Sequence, residues 1–167
     1  IIILVFLSAL FVNSFPAWSQ KKAELITTKW APKAIQVDGL LNDWNDTLSL
    51  YNDATKLYYS LANDEENIYL AVKNGSKEGL TKILARGISI SANIESDKKN
   101  PTTVTFPVLD RTPGKKQNAT EQPEPKEIQK RILSKIKEIR VEGFKEIIDG
   151  GISLYNTYGI KAAAAFD

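Results

Sequence analysis

The chain contains no cysteine, no histidine and no methionine. Without cysteine there is no disulfide, no thiolate nucleophile and no thiolate-held zinc or iron–sulfur site. Without histidine the commonest general base and the commonest transition-metal ligand are missing. Lack of both histidine and methionine removes two common axial ligands of haem iron, so no haem is expected. Because even position 1 is not methionine, the natural chain is expected to start upstream. Net charge is small as well: 22 basic residues against 20 acidic ones leave +2. That balance creates no overall field favouring nucleic acid or an anionic membrane. What is there is ordinary for a globular protein, with 43% hydrophobic and 25% charged residues in 167. The length suits one domain and falls short of two full ones.

Residues 1–19 read as a secretory signal whose basic leading region is missing. Ile1 to Val12 is almost wholly apolar, Pro16 breaks any helix, and Ala17-Trp18-Ser19 puts small residues where a signal peptidase reads, predicting cleavage before Gln20. The apolar run is short of the roughly 20 residues that span a bilayer, so no membrane span is expected after cleavage. The missing cysteine also argues against a lipid-anchored lipoprotein. The expectation is an exported protein, periplasmic, at the cell surface or secreted, with an N-terminal extension over 20–34 and one domain over 35–167.

Within that domain the apolar residues recur mostly at every second position, the period of strands with one face buried. Ile35 and Val37 flank Gln36 ahead of the turn dipeptide Asp38-Gly39. Leu57, Tyr59 and Leu61 alternate with Tyr58, Ser60 and Ala62. A polar turn at 63–67 follows, and then Ile68, Leu70 and Val72 alternate with Tyr69, Ala71 and Lys73. This predicts a hairpin. Further strands are predicted over 88–94, 103–108, 152–155 and 160–166. Lys77 to Arg86 fits either a helical turn or part of a strand. Pro107 lacks an N–H for the ladder, which predicts that its strand is an edge or ends there.

Two segments depart from the strand period. Arg111 to Lys126 is rich in Pro, Lys, Gln and Glu and reads as a loop. Glu127 to Val141 places Ile128, Ile132, Ile136 and Ile139 on one helical face with Lys and Arg around it, so 111–149 is expected to be an insertion carrying a basic helix. The fold class expected is mainly β, an antiparallel β-sandwich with one inserted α-helix. A strand pattern still running at Asp167 predicts truncation at the C-terminus.

Val37-Asp38-Gly39-Leu40 followed by Asp43-Trp44, and then the blocks Leu57 to Asp64 and Asn67 to Val72, resembles the opening of carbohydrate-binding module family 9 and its DOMON-like relatives. The likeness holds from about Ile35 to Asn74 and more loosely to Ile94. The Lys/Glu-rich segment Pro113 to Asp149 is not part of that pattern and is similar to segments in exported proteins of Bacteroidetes-type bacteria. The resemblance implies an immunoglobulin-like or jelly-roll sandwich, and sugar binding by aromatic rings in some members.

Trp30, Trp44, Tyr51, Tyr58 and Tyr69 are therefore the candidate ligand-binding residues. Each has a plainer alternative: Trp44 as a plug under the Asp38-Gly39 turn, the tyrosines as cross-strand pairs. Asp38, Asn42, Asp43, Asp46, Asn52 and Asp53 offer oxygens to a structural calcium, although their spacing is not that of an EF-hand and turn capping explains them equally. Asp64 and Glu66 lie in a solvated turn where neither desolvation nor a charge partner would tune them for acid–base work, so no catalysis is expected. The sequons at Asn45, Asn74 and Asn118 matter only in a eukaryotic secretory pathway, which is not favoured. The partner expected is a carbohydrate. The alternative is a protein-interaction or structural domain of the cell envelope that uses the basic helix.

Overall fold

A computed structural model describes residues 28–31, 35–44, 48–93, 100–112 and 123–166. The expected signal segment and cleavage site, most of the 20–34 extension, most of the 111–126 loop, Asp46, Ile94 and the sequons at Asn45 and Asn118 lie outside the described residues. In chain order the elements are β1 (Lys29–Trp30), β2 (Leu50–Asn52), β3 (Leu57–Asn63), β4 (Ile68–Asn74), α1 (Lys77–Arg86), β5 (Ile88–Ala92), β6 (Thr102–Leu109), α2 (Pro125–Ser134), β7 (Ile136–Glu142) and β8 (Gly150–Ser153), with a 3-10 turn at Asn42–Trp44. The fold is mainly β, with two four-stranded sheets.

The hairpin forms as its alternation predicts. β3 and β4 pair antiparallel without a break, from Leu57 opposite Asn74 to Asn63 opposite Ile68. Asp64 closes the turn: its Oδ1 accepts the N–H of Glu66 at 2.8 Å and that of Asn67 at 2.7 Å. An Asp side chain that satisfies its own turn's amides explains why this loop needs no glycine. The other side of β3 is shared. β2 runs antiparallel beside Leu57–Tyr59, and β1 runs parallel beside Ala62 and Asn63. Ser60 sits between the two partners. It is buried, and its Oγ accepts the Ser49 N–H at 3.0 Å, satisfying a backbone donor where the ladder changes strands.

The second sheet is the meander β5-β6-β7-β8, antiparallel throughout. Its register puts Ile88, Ile90, Val104, Phe106, Ile139, Val141 and Ile152 on one face. Ile139 and Val141 are wholly buried there. The opposite face is polar, with Ser89 bonded to Thr105 at 2.8 Å and Ser91 to Thr103 at 2.9 Å across the strands. Between the sheets, the ambiguous segment 77–86 is helix. Ser76 caps it by accepting the Gly79 N–H at 2.9 Å, and Gly87 ends it with φ 75°.

Four expectations from the sequence need correction. The helix predicted over 127–141 stops at Ser134, and Ile136–Glu142 is strand β7. A bulge produced the false period. Ile136 pairs with Leu109 and Glu138 with Val108, so Lys137 is an extra residue, and Ile136 and Ile139 are both buried despite their odd spacing. The three-residue step from Ile136 to Ile139 then reads as a helical one.

Pro107 is not on an edge, since β6 pairs with β5 on one side and β7 on the other. It is tolerated because β5's pairing ends at Phe106 and β7's skips from Thr105 to Val108, so no ladder bond needs the missing N–H. The strands predicted at 35–37 and 160–166 form no ladder. Instead the two stretches meet: a Cβ on Gly39 would lie 2.7 Å from the Ala164 carbonyl carbon and 2.9 Å from the Ala165 nitrogen. Their alternation reflects packing of extended chain, without sheet pairing. The strand predicted over 152–155 is shifted back to Gly150–Ser153.

Candidate functional site

Three of the five candidate aromatic residues share one face of the first sheet. Tyr51 on β2 stands opposite Tyr58 on β3, and Tyr58 opposite Lys73 on β4. Four residues along β3, Ala62 stands opposite Tyr69 on one side and Lys29 on the other. The middle of this face is made of small buried residues, Ser60, Ala62 and Ala71. Its end is large and open, with Tyr51 46% and Tyr58 48% exposed. Their ring centres are 4.8 Å apart with planes inclined at 47°. Tilted and offset rings of this kind attract through their quadrupoles while leaving an apolar face to solvent.

The turn that joins β2 to β3 builds the rim of this platform. Asn52 Oδ1 accepts the Thr55 N–H at 2.9 Å, and the Asn52 carbonyl accepts the Lys56 N–H at 2.7 Å. This winds the chain tightly enough to leave Lys56 at φ 59°, with its Nζ 5.9 Å from the centre of the Tyr51 ring. That separation is within reach of a cation–π attraction. Lys56 Nζ also lies 3.3 Å from Asp53 Oδ1, with both side chains mostly in solvent. Sequence reasoning missed Lys56 and Lys73. The alternation of β4 already put Lys73 on the Tyr69 side, but its place opposite Tyr58 depends on the hairpin register.

Tyr69 is tied down. Its hydroxyl donates to Asp64 Oδ2 at 2.6 Å, and that bond, with the turn N–H of Glu66, holds the Asp64 carboxyl down at about 2. The same bond raises the pKa of Tyr69. Beside this turn is an open hollow of about 390 Å³ lined by Thr28 and residues 63–68. Trp30 stands opposite Asn63, on the face away from the tyrosines, and is 61% exposed. Trp44 closes the 3-10 turn, where its N–H donates to the Leu41 carbonyl at 2.9 Å, and it is half-buried. Trp30 therefore does not join the tyrosine platform.

Three of the six side chains considered for calcium hold backbone amides nearby. Asp38 accepts the Leu40 N–H at 2.8 Å and Asp43 the Gln36 N–H at 2.9 Å, while Asn52 caps its own turn. Among the described residues no three acidic side chains come together as a metal cluster. No protein-family model matches the chain, and neither does any curated protein or solved structure.

Proposed function

We propose that the protein is an exported, non-catalytic module that binds carbohydrate, with a sugar ring seated on the Tyr51–Tyr58 pair. The observation that carries this reading is the exposed, tilted ring pair on a rigid sheet face. Two half-open aromatic rings fixed by backbone pairing offer apolar contact to the C–H face of a pyranose with little ordering cost. The two sheets stack face to face as a sandwich in this reading, in keeping with the likeness to carbohydrate-binding module family 9 between Ile35 and Asn74. Asp64, held at about 2 in the hairpin turn, is unsuited to act as a general acid, which needs a pKa near working pH.

The test is calorimetric titration of the purified protein with a panel of oligosaccharides, followed by the Tyr51→Ala/Tyr58→Ala variant. The pair's removal should weaken binding about tenfold or more, which is about 1.4 kcal/mol, while circular dichroism still reports a β fold. Failure to bind any glycan, or affinity untouched by the loss of both rings, would overturn it.

One observation favours a second reading, a contact domain of the cell envelope. α2 has no buried residue, and Ile128 is 43% exposed on it. Because β7 belongs to the core, the segment to remove is 113–134 rather than the whole 111–149 insertion. Loss of partner capture on that deletion, with sugar binding intact, would favour this reading.

A further inference from the structure

The cations around the tyrosine pair specify the sugar class, an inference that rests on the carbohydrate reading above. Lys56 stands beside the Tyr51 ring at 5.9 Å, and Lys73 stands across from Tyr58 on the same face. Lys29 adds a third cation on this face, opposite Ala62. Asp64, beyond the far end, is spent on Tyr69 and the turn amides. Asp53 pairs with Lys56, but with side chains 81% and 64% exposed. An ion pair in open water contributes little, so Lys56 can exchange Asp53 for an anion on a ligand at small cost.

The backbone at Lys56 points the same way. Among the described residues it is the one non-glycine residue with positive φ. That conformation is disfavoured for a lysine and relieved by glycine. Such strain persists where the surrounding structure imposes it, here the turn closed by Asn52, and it recurs at ligand sites. A glycine would close the turn better and would remove the cation from the platform.

We propose that the ligand is an acidic polysaccharide, its sugar face lying on Tyr51 and Tyr58 and its carboxylate or sulfate groups against Lys56 and Lys73. The purified protein is titrated with an oligogalacturonate, a heparin oligosaccharide and a neutral galacto-oligosaccharide of equal length. At low salt at least one acidic oligomer should bind about tenfold more tightly than the neutral one. The gap should close with added salt, as the screening length falls from about 30 Å at 0.01 M to about 3 Å at 1 M. The Lys56→Gln/Lys73→Gln variant should lose the gap, binding acidic and neutral oligomers alike. Equal binding of acidic and neutral oligomers overturns this inference and leaves the tyrosine site standing. A gap that survives loss of both lysines overturns it too, and binding of none of the three overturns both readings.

Discussion

Tyr51 and Tyr58 face each other across the β2–β3 pairing with ring centres 4.8 Å apart. β2 is three residues long and pairs with β3 throughout. Aromatic pairs contribute about 0.5–1.5 kcal/mol beyond their buried area. A double-mutant cycle on Tyr51→Ala and Tyr58→Ala, read by denaturant unfolding, should return a coupling of that size. A coupling near zero would mean that the rings do not form one platform in solution.

Acid should weaken the hairpin end of the first sheet. The Asp64 carboxyl is lowered from 3.8 to about 2, first by the Tyr69 hydroxyl and then by the Glu66 N–H. A folded-state value below the unfolded one gives stability that is complete above about pH 4 and lost as pH falls toward 2. Tyr69→Phe removes the largest cause. NMR titration of the Asp64 carboxyl should then show it moving back toward 3.8, and a value unmoved would show that the hydroxyl bond is not made. Tyr69 itself is raised above 10.0, so its part of the bond is present at neutral pH and lost on alkaline titration.

Ile139→Ala should cost about 2–5 kcal/mol, because the side chain is wholly buried. Ile148→Ala is the control: that residue is 92% exposed, and its loss should change stability by no more than about 0.5 kcal/mol. Similar costs for the two would mean that β7 is not in the core.

Gly39→Ala and Gly159→Ala separate backbone strain from crowding. Both glycines have positive φ, 87° and 79°, but only at Gly39 would an added Cβ meet other backbone atoms, at 2.7 Å. Gly39→Ala should therefore destabilise by more than about 1 kcal/mol and by more than Gly159→Ala does. Equal thermal shifts would show that residues 38–39 and 164–165 are not packed together.

The β3–β4 hairpin was readable because both arms keep an unbroken two-residue period and Asp64 closes the turn. β7 was misread because its bulge at Lys137 imitates a helical step. Pro107 was misread because a bulge hides its missing donor. The tyrosines were legible one by one, yet their grouping depends on register: β2 had to pair with the start of β3 and β1 with its end. Lys56 escaped notice because nothing in Asn52-Asp53-Ala54-Thr55-Lys56 announces a left-handed lysine. Trp30 was chosen as an exposed ring and is exposed, but short strand β1 carries it to the other face.

The meeting of Gly39 with Ala164 also fixes an order in time. The two residues are far apart in sequence, so the contact cannot close until Ala165 has left the ribosome, and it closes at the entropic cost of a long loop. The β3–β4 hairpin, by contrast, can form while synthesis continues. The Gly39 contact therefore closes later than the hairpin, which needs only residues 57–74 to be in place.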